Sequence, residues 1–169
     1  GIVEQEGLDA FTLRESARRA GVSHGAPAHH FGDKTGLLTE LAVQSLEDRI
    51  AQAEAYMAEA GPDPLARLKA CGLAHIDYMI AHPRLSDLCA RDGLTNRDDP
   101  ALQTVFQKMA AALIETMSAV TGQTLKPDKE ANPTTLLALV VVTGFAALVN
   151  ERIILRDVPD AERADRARA

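Results

Sequence analysis

Thr12-Leu13-Arg14-Glu15-Ser16-Ala17-Arg18-Arg19-Ala20-Gly21-Val22-Ser23-His24-Gly25-Ala26-Pro27-Ala28-His29-His30-Phe31 is the stretch that decides the fold of this chain. Thr12 and Glu15 have the spacing of a capping box. The Thr12 hydroxyl accepts from the Glu15 backbone N–H, and the Glu15 carboxylate reaches back to the Thr12 N–H. Leu13, Ala17 and Ala20 then recur at helical spacing and form one apolar face. Gly21 ends the helix, because glycine enters the left-handed region without a Cβ clash. Val22 reads as an apolar plug and Ser23 as the next N-cap. With Ser23 as cap, Pro27 takes the fourth helical position and deletes the first intrahelical hydrogen bond; a one-residue shift of the cap removes that loss. Two short helices joined by a glycine turn make a helix-turn-helix unit, whose second helix fits the major groove of DNA.

Working outward, breakers divide the rest. Asp33 is placed to cap a long helix from Lys34 to about Ala60, with Leu38, Leu41, Leu46, Ile50, Ala53 and Met57 as its apolar stripe. Gly61-Pro62-Asp63-Pro64 separates it from a helix over about Pro64–Ala81, which carries Leu65, Leu68, Cys71, Gly72, His75, Ile76 and Met79 on one side. His82-Pro83 ends that helix, since a residue before proline avoids the helical region. A short helix follows to about Cys89, then a loop. Pro100 opens a helix to about Val120 with Leu102, Val105, Phe106, Met109, Leu113 and Met117 inward. Pro133 opens a last long helix, to about Leu155, and the tail after Pro159 reads as a short helix or a frayed end. No alternating strand pattern occurs. The fold class is all-α: a small N-terminal helix-turn-helix domain, residues 1–41, followed by a larger helical domain, 42–169, that binds ligand and dimerises.

The sequence Ala17-x-x-Ala20-Gly21-Val22-Ser23, followed by His29-His30-Phe31-x-x-Lys34-x-x-Leu37-Leu38, resembles the N-terminal DNA-binding domain of TetR/AcrR-type transcriptional regulators. The resemblance covers roughly residues 7–41 and rests on cap, glycine and His-Phe pair agreeing together. Two positions depart from it. Ala28 stands where members carry an aromatic, often Tyr, which removes one expected phosphate contact; Pro27 stands where an aliphatic is usual. Members also have a longer first helix behind a basic stretch, so Ile2–Gly7 reads as the end of a truncated helix closed by Gly7. The resemblance implies a body that binds a small effector and dimerises, so that effector binding moves the two reading heads off the spacing of the operator. It also places His29 and His30 near the sugar–phosphate backbone.

The DNA-contacting residues sort by mechanism. Thr12 offers a hydroxyl and helix-start N–H groups to a phosphate, besides its capping role. Ser23, His24, Gly25 and Ala26 open the recognition helix, where side chains reach base edges and small residues let the backbone approach. Lys34 is a phosphate contact at the next helix start. Arg14 is an exposed cation for phosphate or for pairing with Glu15. Phe31 packs between motif and long helix.

Charge agrees with this partition. The chain carries −6 overall, yet from Thr12 to Lys34 four cations face two anions, a local +2, leaving −8 elsewhere. A basic head on an acidic body binds DNA and repels it elsewhere. Apolar residues make up 46%, so the chain is not of the disordered class. Two cysteines, Cys71 and Cys89, suit a reducing cytoplasm. Leu136–Val149 is a 14-residue apolar run, short of a membrane span; being apolar on nearly every side it needs a partner subunit to bury it. The dimer interface is therefore assigned to Phe106, Leu113, Met117, Leu137, Val141, Phe145 and Leu148.

The effector cavity is assigned between the helices of about residues 46–120, lined by Cys71, His75, Tyr78, Met79, His82, Leu88, Cys89, Phe106 and Met109. His75 shares a face with Leu68, Tyr78 and His82 are placed four apart on one face, and a core histidine held by one partner remains the plainer reading of His75. No catalytic residue is assigned: there is no phosphate-cradling glycine loop and no nucleophile with a neighbouring base. His24, His29 and His30 lack the i, i+4 spacing of a helical metal site, so neither metal nor cofactor is expected. The expected partners are double-stranded operator DNA, a small-molecule effector and a second copy of the chain, without a membrane. The alternatives are a helical dimeric ligand-binding module without DNA binding and a small all-α enzyme.

Overall fold

The structure is a computed structural model that describes residues 2–8, 10–125 and 133–168. Its elements are α1 (Ile2–Glu6), α2 (Leu13–Ala20), α3 (Ala26–Phe31), α4 (Lys34–Glu59), α5 (Pro64–Ala81), α6 (Pro83–Ala90), α7 (Pro100–Thr121), α8 (Pro133–Asn150) and α9 (Asp160–Arg168). Proline opens α5, α6, α7 and α8, as its fixed φ and missing N–H favour at a first turn. The fold is all-α, and no strand occurs among the described residues.

Two compact units emerge, each built from two chain segments: Gly1–Glu47 with His82–Phe106, and Asp48–Ala81 with Gln107–Ala169. The division expected at 41/42 falls inside α4, which contributes to both units.

The first unit buries Val3, Phe11, Ala17, Leu37, Leu38, Leu46, Leu88, Leu102 and Val105. Polar links fasten α6 to α1. The Glu4 carboxylate accepts from the Leu85 N–H at 2.9 Å, and Arg84 Nη1 donates to the Val3 carbonyl at 3.3 Å. Buried Thr39 on α4 accepts from the Asn96 N–H at 2.9 Å. Arg97 donates to the Cys89 carbonyl at 2.9 Å and lies 5.5 Å from the Phe106 ring centre.

In the second unit α5 packs along α8, where the Gly72 position lies against Val142. Ala70, Ala74, Ile76 and Tyr78 of α5 are buried, as are Ala146 and Val149 of α8. Leu65, expected inward, is 64% exposed, because the first turn of α5 precedes the buried part of that helix. The last long helix also stops earlier than expected. It ends at Asn150 rather than near Leu155, and the turn that follows holds Arg152 and Leu155 at positive φ. The α8 helix is 18 residues, not the 14 of its apolar core, so it is long and apolar enough to cross a bilayer by length and composition. Its length therefore does not separate it from a membrane span. Against it instead stand the face held on α5 and the side chains of Thr143 and Asn150, which bond to His75 and to the Met79 carbonyl.

Candidate nucleic-acid interface

The reading head is α2, a turn and α3. Thr12, extended at φ −129° and ψ 156°, caps α2 by accepting from the Glu15 N–H at 3.1 Å. Gly21 closes it at φ 67°, ψ 25°, as expected. The reciprocal half of the capping box does not form. The Glu15 carboxylate instead takes Arg18 (Nε 2.8 Å, Nη2 2.6 Å) and Arg19 (Nε 2.7 Å). Charge-assisted bonds to two guanidiniums outweigh one to a backbone amide. Those bonds, with Arg18 first, draw the Glu15 carboxyl down to about 2. Arg19 also pairs with Glu6 of α1. Arg14, by contrast, is exposed and makes no ion pair among the described residues, including none to Glu15.

The start of α3 differs from the expectation. Its N-cap is Gly25, not Ser23, and the cap makes no side-chain hydrogen bond; Ser23 contributes only its carbonyl, which accepts from the Ala26 N–H at 3.0 Å. The physical reason is Pro27. A cap at Ser23 puts proline where it deletes a hydrogen bond, whereas a cap at Gly25 puts it at the second helical position, whose N–H is an orphan anyway. Pro27 is buried, whereas Val22, read as a plug, is 47% exposed. Ser23, His24, Gly25, Ala28, His29 and His30 are exposed and Ala26 is half-buried. The His30 ring stands edge-on to Phe31, with centres 4.5 Å apart. Asp33 caps α4 by accepting from the Gly36 N–H at 2.8 Å, and Lys34 Nζ donates to the Leu8 carbonyl at 3.0 Å. All of Thr12, Arg14, Ser23, His24, Gly25, Ala26, His29, His30 and Lys34 thus lie in one unit, with only Ala26 less than exposed.

The residues assigned to the effector divide between the units. Cys71, His75, Tyr78, Met79 and Met109 belong to the second; His82, Leu88, Cys89 and Phe106 belong to the first. His82 is not on the α5 face with Tyr78: it is the N-cap of α6, because Pro83 ends α5 at Ala81. In the second unit His75 bonds to two partners, Arg49 and Thr143, and Arg49 lies 5.6 Å from the Tyr78 ring centre. Burial, and then the Arg49 charge, push the His75 imidazole down to about 4. Burial raises the Cys71 thiol.

A second polar cluster lies outside the residues that the sequence singles out. Asp77, 4% exposed, accepts from the Tyr56 hydroxyl at 2.8 Å and from Arg168 Nε of α9 at 2.9 Å. A lone acid between Ile76 and Tyr78 in an apolar helix was its only signal, since a buried carboxylate requires partners. Among the dimer residues, Leu137 and Val141 are 64% and 60% exposed and Leu148 is exposed too. Met117 is buried within the protomer, so it is not free for a partner, and Phe106 faces Arg97. Leu113 and Phe145 are half-buried.

Known proteins agree with this geometry. Residues 2–41 match the family described as bacterial regulatory proteins, tetR family. The chain is 39% identical over 149 residues to the HTH-type transcriptional regulator BetI of Burkholderia thailandensis, spanning 88% of this chain and 72% of that protein. To BetI of Stenotrophomonas maltophilia it is 38% identical over 68 residues, 40% of this chain and 35% of that one. A protein of unknown function from a Rhodococcus species superposes with a TM-score of 0.75 at 27% identity, covering 98% of this chain and 85% of the other. The TetR family regulator PfmR of Thermus thermophilus shares the fold, at a TM-score of 0.65 and 17% identity over 99% and 85% of the two chains. The chain therefore belongs to the tetR family of DNA-binding bacterial transcriptional regulators.

Proposed function

We propose that the chain is a cytoplasmic, ligand-responsive repressor that acts as a homodimer and leaves its operator when a small molecule binds its body. The observation that carries the DNA-binding part is the α2–Gly21–α3 unit, with its exposed Ser23, His24, His29 and His30 and an exposed Arg14 cation that makes no ion pair among the described residues. Thr12, Arg14 and Lys34 contact phosphates; His24, Gly25 and Ala26 approach base edges; His29 and His30 lie along the sugar–phosphate backbone. The exposed apolar face of α8, with Leu137, Val141 and Leu148, supports a dimer through that helix. Two heads then meet successive major grooves about 34–36 Å apart.

The effector lodges near His75, Tyr78 and Cys71 in the second unit and binds one arrangement of the body more tightly. Its differential affinity, about 1–3 kcal/mol, is all it can spend on release. A mobility-shift titration at two salt concentrations, against DNA upstream of the chain's own gene, tests the reading. Specific, salt-sensitive binding supports it; sequence-independent binding or none leaves a dimeric ligand-binding module.

A further inference from the structure

The twelve residues from Gly21 to Gly32 contain no Arg, Lys, Asn, Gln, Asp or Glu. Those are the side chains that read bases most decisively: Arg or Lys on guanine, Asn or Gln on adenine, Asp or Glu on cytosine. The recognition edge offers other chemistry. His24 is exposed in the turn ahead of α3, Ala28 is exposed and Ala26 half-buried, and an added Cβ at Gly25 meets nothing within 4 Å. The Ser23 hydroxyl donates or accepts and so suits any base.

An imidazole cannot place two hydrogen bonds on one base edge, since its two nitrogens point apart. In either protonation state it offers an N–H. The major-groove acceptor common to adenine and guanine is N7. A single N–H on N7 separates purine from pyrimidine and leaves adenine against guanine undecided. Alanine methyl groups meet one feature of the groove, the C5 methyl of thymine.

We infer that this head reads purine N7 through His24 and thymine methyls through Ala26 and Ala28, giving a half-site with a purine-degenerate position beside thymine. The inference rests on the DNA-binding reading above.

The test selects bound duplexes from a randomised pool with the full chain and repeats the selection with His24→Ala. If no sequence is enriched, the DNA-binding reading itself falls. If a site is enriched, the position whose preference vanishes in His24→Ala is the one to examine. There, adenine and guanine bind within about twofold, and a 7-deazapurine weakens the wild-type chain about fivefold, the worth of one hydrogen bond. The variant is indifferent to the 7-deaza change. Thymine→deoxyuridine beside it weakens binding about threefold, as expected for one lost methyl contact, and Ala26→Gly with Ala28→Gly removes that sensitivity. His24→Gln, which restores a two-bond reader, turns the degenerate position into an adenine preference of about fivefold or more. A preference above tenfold for guanine over adenine, or indifference of the wild-type chain to the 7-deaza change, overturns the inference while leaving DNA binding intact.

Discussion

Arg49 Nη2 lies 2.7 Å from Nδ1 of His75, 26 residues away in sequence. A guanidinium only donates, so Nδ1 is the acceptor and the His75 proton sits on Nε2, which donates to the Thr143 hydroxyl at 3.0 Å. The Arg49 contact thus sets the tautomer of a half-buried histidine, and the two bonds together tie α4, α5 and α8 of the second unit.

That neutral imidazole has a cost in acid. Its folded value, about 4, lies below the ordinary 6.5, so the unfolded chain takes up the proton first. The His75 contribution is complete above about pH 6.5 and declines by up to about 1.4 kcal/mol per pH unit as pH falls toward 4. Urea unfolding at pH 7 and 5 should show a larger loss for the wild type than for His75→Gln; equal losses would refute it.

Glu15 holds two cations of the reading head. Glu15→Gln releases Arg18, leaves Arg19 with Glu6 as its remaining acid partner, and raises the local charge by one. DNA affinity should rise, and the slope of log affinity against log salt should steepen by about 0.9 if one more phosphate contact forms. A fluorescence-anisotropy titration over about 50–200 mM salt reads this; an unchanged slope means the arginines do not face the duplex.

Gly21 and Gly36 make a contrasting pair. Gly21 sits at φ 67° with open space around a Cβ, so Gly21→Ala carries only the left-handed cost, about 1 kcal/mol. A Cβ on Gly36 falls on the Phe31 backbone carbonyl oxygen, which cannot swing aside. Gly36→Ala should cost several times more, about 3 kcal/mol, by distorting the α3–α4 corner. Thermal unfolding of the two variants ranks them, and the reverse order would contradict the packing described.

Asp77 is buried with Arg168 and Tyr56 as partners. Arg168→Ala leaves a carboxylate short of its charge partner and should cost about 1–3 kcal/mol, at the low end because the arginine is half exposed. Hydrogen exchange should show the loss concentrated in α9; protection unchanged there would show the pair to be idle.

Leu137→Asp or Val141→Asp places a charge in the exposed α8 face. If the proposed dimer forms through this face, sedimentation should report a dimer for the wild type and a monomer for either variant, with operator affinity down at least about tenfold because one head binds alone. A dimer that survives both substitutions moves the interface elsewhere.

Most of the scaffold was legible because local chemistry announces itself. Thr12, Gly21, Asp33 and four helix-opening prolines act within a turn of their own position, and α4, α5, α6 and α7 start where they were read. Local signals mislead wherever two rules compete at one position. Ser23 looks like a cap until Pro27 moves the helix start to Gly25, and Glu15 looks like half of a capping box until Arg18 and Arg19 claim it.

The chain's sequence alone determined its helices, its glycine-closed turn, its basic head and its family likeness, all from interactions spanning a few residues. Only the tertiary structure decided which polar groups meet: His75 with Arg49 and Thr143, Asp77 with Tyr56 and with Arg168 91 residues away, Glu4 with the Leu85 amide. Such partners are chosen by packing. A buried charge or imidazole must find a complement wherever the folded chain brings one, and no spacing along the sequence records where that is.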